Sequence, residues 1–162
     1  MALKATFIVD AMLGSLARWL RLLGYDTLYC ETQSDDEILE RVDSRILLTR
    51  DKELMLRAKK LEYRVLNPGS KSVGSMLKQL QQTLRITFLA DPDLSRCPKC
   101  NAPLQKRNRV QVRTLVPKGS LKNHQNFWQC TNKECQKVYW QGRHWTRIKN
   151  TLNKLDTENK SS

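Results

Sequence analysis

Between residues 5 and 90, short apolar and β-branched runs alternate with stretches whose apolar positions recur every three or four residues. The runs at 6–9, 27–30, 45–49, 64–67 and 86–89 predict strands, and the stretches at 13–23, 35–42, 52–61 and 72–84 predict helices. Such alternation predicts an α/β domain with a central parallel sheet and helices on its faces. In the first predicted helix Leu13, Leu16, Ala17, Leu20 and Leu23 form the stripe that packs on the sheet. Gly24 follows as a C-cap, and Arg18 and Arg21, three residues apart, fall on another face.

The pattern breaks at Asp91, Pro92 and Asp93, a turn-rich linker. Residues 94–150 read as short strands and loops, with one last helix over about 146–155 and a polar tail over 151–162. The expected organisation is therefore a first domain over 1–90, a small module over 94–150 and the tail. There is no internal repeat.

The cysteines change the picture of the second part. Cys97 and Cys100 form one knuckle, Cys130 and Cys135 another, with 29 residues between them. Four thiolates at such spacing suit one tetrahedral Zn²⁺ in a closed, structural site that folds the module and does no chemistry. Cys30, within a strand, reads as a small buried hydrophobe. Five cysteines, an odd count, argue for a reducing compartment and against a disulfide framework. No basic leader precedes a long apolar stretch, and runs such as Phe7 to Val9 fall far short of the ~20 residues of a membrane span. A cytoplasmic protein without a membrane partner is expected.

Charge then points to a partner. The net charge is +13, but residues 1–90 hold 14 Lys and Arg against 11 acids, whereas residues 91–162 hold 15 against 5. Among residues 94–150 Glu134 is the sole acid, while Arg107, Arg109 and Arg143 belong to a series of cations interleaved with Phe127, Trp128, Tyr139, Trp140 and Trp145. Cations for phosphates with rings for stacking compose a single-stranded nucleic-acid surface. Trp128 and Tyr139, each close to a cysteine, read instead as core of the module.

Candidate chemistry lies in the first part. Sites of open parallel sheets gather outside the carboxyl ends of the strands. Asp10 follows the first strand and Asp51 follows the third, so the two share one edge if those strands are neighbours. Asp35 and Asp36 open the second helix at the same edge. Converging carboxylates call for a hard Mg²⁺ or Mn²⁺, which can activate water against a phosphodiester. Each acid also has a structural reading: Asp10 and Asp51 as N-caps, and Asp35 and Asp36 as first-turn acids beside a Ser34/Glu37 capping box.

The motifs FIVDAMLGSLARWLRLLGYDT, RILLTRDKEL, CPKC and CQKVYWQGRHW, in this order, resemble the Mut7-C ribonuclease family over roughly residues 5–148. The resemblance implies a PIN-like three-layer domain with a central parallel sheet, a C-terminal zinc ribbon and metal-dependent hydrolysis of RNA. It implies that Asp10 is the first-strand acid, Asp51 the acid of the T-x-D motif, and Asp35 or Asp36 the helix acid. Asp35 is preferred because it shares a face with Ile38, Leu39 and Val42. Arg18 and Arg21 match the family's LARWLR segment and, with Arg50 of the TRD segment, are expected at substrate phosphates or as braces for the acids. The expectation is thus a Mg²⁺- or Mn²⁺-dependent ribonuclease whose zinc ribbon positions RNA. Two others compete with it: a non-catalytic RNA-binding adaptor and a DNA-binding zinc protein.

Overall fold

The computed structural model describes residues 4–69 and 72–160. Eight elements build the first part: β1 (Phe7–Asp10), α1 (Gly14–Leu22), β2 (Thr27–Cys30), α2 (Asp35–Glu40), β3 (Ile46–Leu48), α3 (Lys52–Lys60), β4 (Val65–Leu66) and α4 (Val73–Leu84). The four strands pair in parallel in the order β2-β1-β3-β4. β1 is central and its residues are buried on both faces, which is why FIV reads as a continuous apolar run. Phe7, Val9, Ile46 and Leu48 pack against α1 and α4, while Ile8 and Leu47 meet Ile38, Leu39, Leu54 and Ala58 of α2 and α3. Helices therefore cover both faces, and Cys30 is buried as expected.

The expected strand at 86–89 does not pair. Its alternating apolar positions serve packing: Phe88 is buried edge-to-face on Tyr25 at 5.5 Å, and the Tyr25 hydroxyl donates to the Thr87 carbonyl at 2.9 Å. The chain then turns through 91–94 into the second part, where β5 (Leu104–Arg107), β6 (Phe127–Cys130) and β7 (Val138–Trp140) form an antiparallel sheet in that order. Two short helices that the sequence reading missed, α5 (Arg109–Val112) and α6 (Lys118–Asn123), close over Val112, Val116 and Phe127. The missed signal is a capping box in which Asn108 and Gln111 exchange hydrogen bonds.

The polar tail expected over 151–162 is corrected. α7 runs Arg143–Lys160, and Trp145, Ile148, Leu152 and Leu155 return to the first core against α1 and α4. Spacings of three, four and three residues put these four on one stripe, inside a stretch that is otherwise polar. α7 therefore ties the second part into the first core, while Val112, Val116 and Phe127 form a small core of their own.

A dense polar joint fixes the second part to the amino end of the sheet. Arg21 is only 6% exposed: its Nε donates to the Thr27 carbonyl at 2.9 Å, and its guanidinium reaches the Pro98 and Lys99 carbonyls at 3.0 and 3.2 Å. The Arg96 amide and the Ser95 hydroxyl donate to the Arg21 and Leu22 carbonyls at the end of α1, where the Arg21 oxygen also accepts the Gly24 amide. Gly24 is at φ +82°, and a Cβ there would lie 2.5 Å from the Leu94 carbonyl oxygen, so the approach demands glycine. Asn101, at φ +70°, accepts the Thr27 amide and donates to Asp26, which is held in turn by a two-pronged bond from Arg45.

Burial alone would push the Asp26 carboxyl up, but the hydrogen bonds from Arg45 and Asn101 hold it below the usual carboxylate value. A depressed acid stabilises the fold above its unfolded pKa of about 3.9 and loses that contribution as the pH falls through its folded pKa. Asp26→Asn should therefore be less stable than the wild type at neutral pH, and in urea titrations the two should converge as the pH falls below the unfolded value of about 3.9. A stability difference that stays constant across that acid range contradicts this role for the pair.

Candidate metal centre and acidic sheet edge

The four cysteines meet where the two knuckles fold together. All four sulfurs lie within 4.8 Å of one another, with Cys97 and Cys135 at 3.8 Å and Cys100 and Cys130 at 3.3 Å. Four sulfurs ~2.3 Å from a central zinc would stand roughly 3.8 Å apart, so the cluster can hold a structural metal such as zinc. Cys97 and Cys130 are buried, and the Tyr139 hydroxyl lies 3.2 Å from the Cys97 sulfur, where it can donate to a thiolate. Burial pushes the Cys100 thiol up, but the Ala102 amide and the neighbouring thiols outweigh it and bring it to about 7. Burial also pushes Arg21 down, and Cys97 and Cys100 offset this when ionised. Arg21 thus places a positive charge beside these sulfurs, where it would offset the charge of a thiolate cluster, as well as joining the two parts.

The second group lies at the carboxyl edge of the parallel sheet. β1 and β3 are neighbours, so the condition for Asp10 and Asp51 to share an edge is met. Asp10 is 6% exposed, accepts the Met12 amide at 3.2 Å and receives the Thr49 hydroxyl. Thr49 is fully buried, and its oxygen also accepts the Asp51 amide at 3.0 Å, so one threonine links the two acids. Asp51 caps α3 through Oδ1, which accepts the Glu53 and Leu54 amides at 2.8 and 3.0 Å. Both capping readings hold, and neither prevents the carboxylates from facing the edge.

Asp35 and Asp36 are engaged differently. Both pair with Arg57 of α3, Asp35 at 3.7 Å and Asp36 by a short contact, beside the Ser34/Glu37 capping box. Among the described residues, the cysteine quartet is the one group of three or more metal-ligating side chains that converges; the edge acids form a linked pair and a separate Arg57-bound pair.

The six arginines expected at RNA divide in the same way. Arg21, expected at substrate phosphates or as a brace for the acids, is withdrawn into the joint at the other end of the sheet. Arg109 binds the His124 and Lys122 carbonyls at the end of α6, and Arg107 donates to Gln129 at 3.1 Å. Arg18 and Arg143 are exposed. Arg50 is half-buried between Thr49 and Asp51, with its Nε buried and without a hydrogen-bond partner. Trp128 and Tyr139, expected in the core of the module, lie at its boundary with the first part instead: Trp128 is 5% exposed and its indole nitrogen donates to Asp93 at 2.8 Å, Tyr139 is half-buried, and the ring in the module's own core is Phe127.

An α/β protein with a central parallel sheet, an acid pair at its carboxyl edge and a four-cysteine module docked at its opposite end is the class these features define. The chain belongs to the Mut7-C RNAse domain family, whose model matches residues 5–152, nearly its whole length. This is a nuclease-type family. Neither the comparison with curated proteins nor that with solved structures gives a match. Among the described residues no helix is long and apolar enough to cross a membrane.

The purified chain should carry one tightly bound metal, and Cys97→Ser, which removes a fully buried sulfur, should abolish it and unfold the module. Metal analysis with near-ultraviolet circular dichroism checks this. A folded module that retains its metal in the variant contradicts a four-cysteine site.

Proposed function

We propose that the chain is a metal-dependent ribonuclease with a PIN-like domain, that Asp10 and Asp51 bind Mg²⁺ or Mn²⁺, and that the cysteine module assists RNA binding. The observation that carries this reading is the Asp10–Thr49–Asp51 unit at the carboxyl edge of a parallel sheet, in a chain of an RNAse family. The donor set suits these ions: a hydrated Mg²⁺ takes one or two carboxylates and keeps several waters. A bound metal supplies orientation and acidification of the attacking water and charge neutralisation at the phosphate.

The chain's own residues do the rest. Thr49 fixes the Asp10 carboxylate, and the amides at the start of α3 fix Asp51 through one oxygen, which leaves the other turned to a ligand. Arg50, half-buried next to Asp51, brings its cation to the same edge for the scissile phosphate. Asp35 and Asp36 are reserve ligands held by Arg57, which would have to release one of them to complete a larger site. That engagement favours the second reading, an RNA-binding adaptor with a degenerate site, over any third.

Cleavage of a labelled single-stranded RNA in Mn²⁺ separates the two. The nuclease reading predicts cleavage that falls at least ~100-fold in Asp10→Asn and Asp51→Asn, equivalent to about 2.7 kcal/mol of transition-state stabilisation. Because Asn caps helices about as well as Asp, the Asp51 variant keeps α3, and the loss reads chemistry. Binding with no cleavage in any divalent ion supports the adaptor, and cleavage that survives both variants removes the site from Asp10 and Asp51.

A further inference from the structure

The contact between the two parts of the chain leaves a cleft of about 480 Å³, away from the acid edge. One wall is α1, whose Ser15, Arg18, Trp19 and Leu22 lie on one face at spacings of three and four residues. The other wall comes from β7 and the start of α7, with Tyr139, Trp140 and Arg143. Trp128 and Tyr139 are fixed in the lining by their bonds to Asp93 and Cys97, so the cleft is largely preformed. Its lining is mostly apolar and aromatic, which suits neither a bare phosphate nor a hydrated cation. Yet two exposed cations, Arg18 and Arg143, belong to it. Flat rings beside cations fit a ligand with a flat apolar face and an attached anion, the chemistry of one nucleotide unit.

The surroundings continue the same chemistry. Trp19 also lines a second cleft of about 550 Å³, whose other lining residues include Lys78, Arg147 and Lys154. Residues 94–150 carry 13 Lys and Arg against the single acid Glu134. An anionic strand leaving the first cleft past Trp19 therefore meets more positive charge.

We propose that the first cleft is a base pocket for single-stranded RNA. One unpaired base stacks with Trp19 and Trp140 while its flanking phosphates pair with Arg18 and Arg143. This rests on the reading of RNA as the ligand and deepens it, but it is independent of cleavage. α1 connects the pocket to the acid edge: it starts at Gly14, four residues after Asp10, and Trp19 lies five residues further on, roughly 7.5 Å along the helix axis. The anchored base would thereby set which phosphate reaches Asp10 and Asp51.

The test measures binding by the full-length Asp10→Asn protein, with no added Mg²⁺ or Mn²⁺, to a fluorescent single-stranded RNA in which an abasic nucleotide is moved along the strand. An abasic nucleotide at one position should weaken binding about tenfold. Trp19→Leu should weaken the intact RNA by a similar factor and leave the affinity for that abasic RNA unchanged. Arg18→Gln, at an exposed position, should weaken every strand and lower the salt slope by about one. The pocket is overturned if a folded Trp19→Leu protein binds intact RNA like its parent, or if every abasic position is equivalent. Should Trp19→Leu fail to fold, unchanged affinity and salt slope in Arg18→Gln overturns it instead. Lack of cleavage by the wild type leaves the pocket standing, whereas cleavage alongside an unselective abasic scan removes the pocket and leaves the nuclease reading intact.

Discussion

The burial of Arg21 between α1 and the first cysteine knuckle is the constraint on which the rest of the structure depends. A guanidinium taken out of water is costly unless its hydrogen bonds are replaced. Here three backbone carbonyls replace them, one from Thr27 and two, Pro98 and Lys99, that exist in this position only when the CPKC knuckle is folded. A divalent metal on four thiolates would carry a net charge of about −2, which the same cation would partly offset. Knuckle and α1 are thus mutually dependent, and the Asn101–Asp26–Arg45 chain extends the dependence to β2 and β3.

This joint sets the geometry of the whole chain. With the module fixed at the amino end of the sheet, α7 is brought back across α1 and α4, and its apolar stripe completes the first core. The acid pair lies at the opposite, carboxyl end, so module and acids do not touch one another through the joint. What joins them is α1, which begins beside Asp10 and ends at the knuckle. A ligand that engages both must run along that helix, and its outward face, with Arg18 and Trp19, lines the interdomain cleft.

Much of this was legible in the sequence because the responsible signals are local. Periodicity located the four paired strands and the helices between them, and the knuckle spacing foretold the convergence of the four sulfurs. That Asp10 and Asp51 share one sheet edge followed from their positions after strands, a rule that needs only topology. Arg21 was misplaced because a helix stripe marks what faces the sheet and carries no information about a second domain on the opposite face. The same blindness made 151–162 a polar tail: Leu152 and Leu155 are sparse among polar residues, and their value comes from a core whose other elements, α1 and α4, lie far earlier in the chain. The pairing of Asp35 and Asp36 with Arg57 is a contact between two helices on one face of the sheet, which no spacing along the chain encodes.

The coupling of the cysteine metal to the parallel sheet is tested most directly at the Thr27 amide, a β2 group whose acceptor is the Asn101 side chain of the knuckle. Residue-resolved hydrogen exchange on the metal-loaded and metal-depleted chain should show Thr27 losing its protection on depletion, while the Leu47 amide, bonded to Arg64 within the sheet, keeps more of its own. Equal protection of Thr27 in both forms would contradict the account.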